Sequence, residues 1–225
     1  MKRAVDKIIG ILDRRDRTIY LDQTAYKTRR TFVTLHEIGH DYLPWQHDLY
    51  AFIEESDYTI DPETLDQFEQ EANFFASEVL FQAGRFEQEA RSKPLALRTA
   101  IDLSKRYGAS CYATARRYVT TNVHPCALVV LEPPEGTLTT GLTVRPRRVI
   151  CSPSFLERFG GLSLPNTFGP SHLFTSFALR SGFSSPQLST LRRGQHQEHC
   201  LVEGFNTTYN ALVLLYPVAL PTPRR

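Results

Sequence analysis

The sequence predicts an α+β protein with a small N-terminal β-hairpin, a helical core, a helical pair and a C-terminal mixed β-rich region. Three observations carry this. Residues 7 to 22, "KIIGILDRRDRTIYLD", hold two short β-prone runs around a charged turn, Asp13 to Arg17. Two stretches, about Thr28 to Tyr42 and 62 to 83, repeat apolar residues at three- and four-residue steps. After Asn122 the character changes to apolar, β-rich runs set among prolines and glycines.

In the first helix Phe32, Leu35, Ile38 and Tyr42 form the stripe, and Pro44 ends the pattern, with a polar stretch after it. The second opens with Asp61 as N-cap and Pro62 at the first helical position. Its buried stripe is Leu65, Phe68, Ala72, Phe75, Ala76 and Val79, and it runs to about Ala83. Pro94 restarts the chain into "LALRTAIDLSKRYG", Gly108 breaks it, and Ser110 caps "CYATARRYVTT", giving a helix, a tight turn and a helix. The runs "CALVVLEP", "GLTVRPRRVICS", "HLFTSFALRSG" and "YNALVLLYPVAL" then read as strands. The expected organisation is therefore 1–92, 93–122 and 123–225.

At 225 residues, 41% hydrophobic and 22% charged, the chain is long enough to bury a real core. The net charge of +2 gives no global electrostatic case for nucleic acid. No run is long enough to cross a bilayer, and the N-terminus breaks into charges before a signal-peptide core forms, so a cytoplasmic location is expected. Cys111, Cys126, Cys151 and Cys200 are scattered, without a CxxC pair, and read as free thiols rather than a disulfide framework or thiolate zinc site.

Within "FVTLHEIGHDYLPWQH", His36 and His40 are four residues apart, so a helix projects both imidazoles from one face toward a single ion. Glu37 stands beside them as the candidate general base and acid. The chemistry needs that arrangement, because zinc lowers the pKa of water it binds to about 7 and a neighbouring carboxylate can then take its proton. Chance gives an HExxH string in about one sequence in 75 of this composition, so the string alone leaves open an ordinary amphipathic helix that happens to carry histidines.

The third ligand decides between the two. A metzincin would place glycine at 43 and histidine at 46, where the chain has Leu43 and Gln46, which rejects that class. His47 falls one residue late and is expected at the rim or surface. On the second helix Glu69 can bind metal, while Asn73, one turn on, can orient a ligating imidazole as an outer partner. Glu71, two residues further at about 100° each, cannot serve the same ion.

"RTFVTLHEIGH" followed by "EQEANFFASEVL" resembles the ImmA/IrrE family of metallopeptidases, and "SKRYGASCYATARRYV" is similar to the helix-turn-helix-like segment after that family's peptidase core. The family usually has a helix ahead of the hairpin, which only a few residues precede here. The resemblance implies a zincin-like core with His36, His40 and Glu69 as ligands of Zn²⁺ (another divalent metal such as Mn²⁺ being an alternative), and Glu37 as base. It implies an endopeptidase that cuts a helix-turn-helix transcriptional repressor at one site to switch on a stress, phage or mobile-element response. A non-cleaving regulator that binds a repressor or DNA is the alternative. Some family members end in a GAF-like sensory domain, with which the β-rich 123–225 segment is compatible.

Arg98, Lys105, Arg106, Arg116 and Arg117 decorate the helical pair; a solvated face or substrate docking accounts for them more readily than DNA contact. "LRRGQHQEHC" offers His196, His199 and Cys200 but no fourth ligand, and reads as a polar loop between strands.

Overall fold

The computed structural model describes residues 9–54, 60–137, 141–193 and 196–218. The chain divides into two compact units: Met1–Phe86 with Lys105–Ser110, and Glu87–Ser104 with Cys111–Arg225.

In the first unit β1 (Gly10–Asp13) and β2 (Thr18–Leu21) pair antiparallel, Gly10 opposite Leu21 and Asp13 opposite Thr18. The Asp13 carboxylate closes the turn by accepting from the amides of Arg15 and Asp16. Helix α1 (Lys27–Tyr42) follows. It stops at Leu43, whose extended backbone (φ −75°, ψ 113°) is what the residue before a proline prefers. The next residue begins α2 (Pro44–Glu54), so Pro44 both ends one helix and occupies the first position of another. Sequence periodicity predicts only a polar stretch here. The stretch "PWQHDLY" has no clean apolar stripe because its buried member is a polar residue, Gln46.

Helix α3 (Pro62–Leu80) begins as predicted, with the Asp61 carboxylate accepting from the Thr64 amide and hydroxyl. It ends at Leu80, and Gln82 and Ala83 turn left-handed (φ 55° and 48°) before α4 (Gly84–Arg91). The predicted helix to about Ala83 thus stops at Leu80 and its last residues form a turn, while α4 lies beyond the predicted range. Phe68, Ala72, Ala76 and Leu80 are buried along α3 at helical spacing, whereas Leu65 and Val79 of the expected stripe are exposed. Helix α5 (Leu97–Tyr107) straddles the division between the units, Gly108 breaks it with φ 62°, and α6 (Cys111–Thr120) follows.

The second unit is built on β3 (Ala127–Leu131), β6 (Pro146–Cys151), β7 (Gly182–Phe183), β8 (Gln187–Arg193), β9 (His196–Asn206) and β10 (Ala211–Pro217). The sheet is antiparallel in the order β6-β3-β10-β9-β7, with β8 also on β9. A small ribbon, β4 (Glu135–Thr137) with β5 (Gly141–Thr143), stands apart from it. The two central strands are buried at every position but the last of β10, and almost wholly apolar, because both sheet faces are covered. Val129 and Val213 join Phe155, Phe168, Phe174 and Phe177 in one cluster. Their alternates Leu128, Val130, Leu212 and Leu214 are equally buried on the other face, and α6 lies against β3 and β6.

Two short helices cover the clustered face. Ser152 caps α7 (Pro153–Phe159) and His172 caps α8 (Leu173–Leu179). The run "HLFTSFALRSG" is therefore helical, against the strand that its phenylalanines and threonine predict. Phe174, Phe177 and Ala178 at three- and four-residue spacing bury as one helical face, and that burial overrides local propensity. "LRRGQHQEHC" likewise belongs to the β8–β9 hairpin rather than a loop, residues 194 and 195 lying outside the described ones. His199 is exposed and Cys200 buried, and successive side chains of one strand point to opposite faces of the sheet, so they cannot share an ion. A cavity of about 970 Å³ in this unit is lined by Phe155, Phe159, Phe168, Phe174, Thr190 and Cys200 among others.

Cys126 is fully buried and its thiol is pushed up to about 12, chiefly by burial, as expected of a core thiol rather than a reactive one. Tight packing of α8 on β9 depends on Gly204, where a Cβ would lie 2.5 Å from the Phe177 ring. Gly204→Ala should lower unfolding free energy by about 1–3 kcal/mol, the usual cost of overpacking, read as a lower denaturation midpoint. Adding Phe177→Leu should return part of the loss; purely additive losses would show that the two residues do not meet.

Candidate metal centre

Helices α1 and α3 pack directly on one another. They approach closely at Gly39, two residues after Glu37, where a Cβ would stand 3.2 Å from both the Ala72 Cα and the Phe75 ring. Gly39 and Ala72 are both buried. Because neither carries more than a methyl group, the helices come close enough for side chains one turn away to meet.

Three of them do. His36 Nε2 and His40 Nε2 are 3.1 Å apart, His36 Nε2 is 3.2 Å from Glu69 Oε2, and His40 Nε2 is 3.3 Å from Glu69 Oε1. Ligand atoms bound about 2.0–2.1 Å from a tetrahedral zinc ion are about 3.3 Å from each other, so the two imidazole nitrogens, each facing a different oxygen of the Glu69 carboxylate, stand near the spacing such a site needs. Among the described residues this is the group of His, Cys, Asp and Glu whose ligand atoms can hold one ion, all lying within 4.8 Å of one another. Two neutral imidazoles and a carboxylate are also the donor set zinc and related divalent ions accept. The histidine side chains are 15% and 7% exposed and Glu69 57%, so the site has a buried wall and an open side, as a site that must admit substrate requires.

Burial, and then the neighbouring His40, hold the His36 imidazole below its ordinary pKa, outweighing Glu69, Glu37 and the Asn73 side chain, which act the other way. A neutral ring is the form that binds metal. Asn73 stands beside His36, whose buried Nδ1 has no hydrogen bond of ordinary geometry. Glu37, half-buried on α1, faces β1: a Cβ on Gly10 would be 3.5 Å from its Oε1. His47 is exposed on α2.

Several neighbours were not legible in the sequence. Gln46, fully buried on the first turn of α2, places Oε1 2.8 Å from His40 Nδ1, and its Nε2 donates to the Phe68 carbonyl (3.2 Å) and Glu71 Oε2 (2.8 Å). Glu71 also accepts from Trp45 Nε1 at 2.6 Å and Gln67 Nε2 at 3.0 Å. Burial raises the Glu71 carboxyl, yet the bonds from Gln46, Trp45 and Gln67 together hold it below the usual range. Arg14 of the hairpin turn donates to the His40 carbonyl at 3.3 Å and lies 3.6 Å over the Tyr50 ring, while Arg17 pairs with Asp41 at 2.6 Å. Burial pushes the Tyr50 phenol up, Arg14 opposes it, and Glu69 and Glu37 add to it, so Tyr50 shares the field of the centre.

Of the arginines on the helical pair, Arg117 bonds Glu87 at 2.8 Å and Arg98 lies 4.1 Å over the Phe183 ring. Both cations are engaged inside the second unit.

A hairpin, an HExxH helix and a second helix that brings in a glutamate define a metallopeptidase-type domain. Residues 8–118 match the family model of the IrrE N-terminal-like domain, peptidase M78, and the chain belongs to that family through this domain. A solved Mycobacterium tuberculosis transcriptional regulator is similar at 16% identity with a TM-score of 0.52, over 96% of this chain and 73% of that one, a likeness of fold. No curated protein matches the chain. Among the described residues no helix is long and apolar enough to cross a membrane.

Removing Glu69 should cost far more metal than removing Glu71, which lies two residues along the helix and is bonded elsewhere. Titration of Glu69→Ala and Glu71→Ala with zinc in competition with a chromophoric chelator reads the difference; equal losses would put the third ligand somewhere else.

Proposed function

We propose that the protein is a zinc-dependent endopeptidase, with His36, His40 and Glu69 as ligands, Glu37 as catalytic residue and Asn73 as an outer partner of His36. The observation that carries the reading is the convergence of the two imidazole Nε2 atoms, 3.1 Å apart, on the two oxygens of the Glu69 carboxylate at 3.2 and 3.3 Å, beside Glu37. A divalent cation there, Zn²⁺ or alternatively Mn²⁺, would supply Lewis acidity toward a peptide carbonyl and lower the pKa of water. Glu37 takes the proton of the attacking water on a carboxylate oxygen and gives it to the nitrogen of the leaving amine. Arg14 and Tyr50, packed on one another beside the ligand helix, form part of the wall against which a substrate backbone would lie.

The substrate we propose is a helix-turn-helix transcriptional repressor, cut at one site in the cytoplasm to switch on a stress, phage or mobile-element programme. Family membership and a structural neighbour that is itself a transcriptional regulator support a regulatory setting. In this reading 1–92 is the peptidase, 93–122 a helix-turn-helix-like docking segment, and 123–225 a regulatory domain, possessing the cavity such a role can use. The regulator neighbour also favours a second reading, a protein that binds a repressor or DNA without cutting.

Incubation with the repressor encoded beside its gene, with and without chelator, separates the two. Glu37→Gln should retain metal while lowering the cleavage rate by about 10²–10⁴-fold, the usual contribution of general acid–base catalysis. Cleavage at the wild-type rate would remove Glu37 from the mechanism, and metal-independent repressor binding without cleavage would favour the second reading.

A further inference from the structure

A divalent ion can be bound by His40 only through a nitrogen that carries no proton, and a neutral imidazole offers one such nitrogen. Which one it offers follows from Gln46. A backbone carbonyl can only accept, and so can an ionised carboxylate, so the Gln46 atom that faces both the Phe68 carbonyl and Glu71 Oε2 must be the NH₂ group. The reversed amide would set its oxygen against two other oxygens inside the protein. The Oε1 atom therefore faces His40, 2.8 Å from Nδ1, and an oxygen there requires that Nδ1 carry the hydrogen. The bare nitrogen is Nε2, the atom that faces His36 and Glu69.

We infer that Gln46 is a positioning residue that fixes the tautomer and ring orientation of His40 for metal binding, and that Glu71 and the Phe68 carbonyl act through it by fixing the amide. The inference rests on the metal-binding reading above. Trp45 completes the arrangement by donating to the same Glu71 oxygen from the exposed side. The chain geometry explains why these residues can reach. The extended Leu43 and the start of α2 at Pro44 turn the backbone so that Gln46, six residues after His40, folds back against it. Phe68 and Glu71 flank Glu69 on α3, so one helix supplies the third ligand and the anchor for the second ligand's partner. Outer partners of this kind hold imidazole ligands in register and are worth about 10–100-fold in metal affinity.

The test uses the full-length protein with ¹⁵N-labelled histidine. Long-range ¹H–¹⁵N correlation of the metal-free wild type should show His40 with a protonated Nδ1 and a bare Nε2. An Nε2–H tautomer would overturn the inference without any variant being made. In Gln46→Leu, which fills a similar volume without an acceptor, His40 should become a tautomer mixture and zinc affinity should fall about 10–100-fold. Glu71→Leu should shift both in the same direction by less. Unchanged tautomer and affinity in Gln46→Leu would make Gln46 mere packing and sink the proposal. A wild type that takes up no divalent metal would instead refute the peptidase reading, with the His40 tautomer still reporting on Gln46.

Discussion

The close approach of α1 to α3 at Gly39 and Ala72 is the constraint on which the site depends. Glu69 is 29 residues from His40 in sequence, and its carboxylate meets two imidazoles only because the helix axes come near enough at that crossing. A side chain at position 39 would have to displace the Ala72 backbone, which is not free to yield the way a flexible side chain is. The spacing of the His36, His40 and Glu69 side chains is therefore set by backbone packing of two helices, and as the proposed ligands they would need little freedom to find an ion. Such rigidity lowers the entropic cost of binding an ion.

Around that crossing the first unit adds layers of support from short sequence distances. The hairpin turn holds the end of the ligand helix through Arg14 at the His40 carbonyl and Arg17 at Asp41, placing cations at a helix C-terminus where the dipole favours them. The helix break at Leu43 and Pro44 returns Gln46 to the buried side of His40. Each of these contacts acts on the wall of the site, and none blocks its open side at Glu69. A site closed behind and open in front suits turnover better than a purely structural ion.

Much of this was legible in the sequence, for a physical reason. The four-residue spacing of His36 and His40 has meaning only on a helix, and apolar residues at three- and four-residue steps predict that helix although Ile38 and Tyr42 of the stripe are exposed; Glu69 lies beside Phe68 and Ala72, which are buried. Periodicity therefore located all three members of the cluster. It could not locate α2, whose buried residue is a glutamine, since a polar side chain inside the protein leaves no hydrophobic signature. Nor could it see Gln46 as a partner of His40, because Leu43 and Pro44 change the chain direction between them. The strand predicted over "HLFTSFALRSG" failed differently. Its phenylalanines favour strands in isolation, while three of its residues bury as a helical face only in the presence of β9.

The β-rich unit has its own core, buried on both faces of its sheet, and among the described residues the metal-type cluster consists of His36, His40 and Glu69 of the first unit. The account thus stands on that one cluster, and X-ray absorption of the protein loaded with one equivalent of zinc addresses it most directly. The expected spectrum has a first shell of nitrogen and oxygen only, with the outer scattering of two imidazoles. A sulfur ligand, a single imidazole or a fully hydrated ion would contradict it.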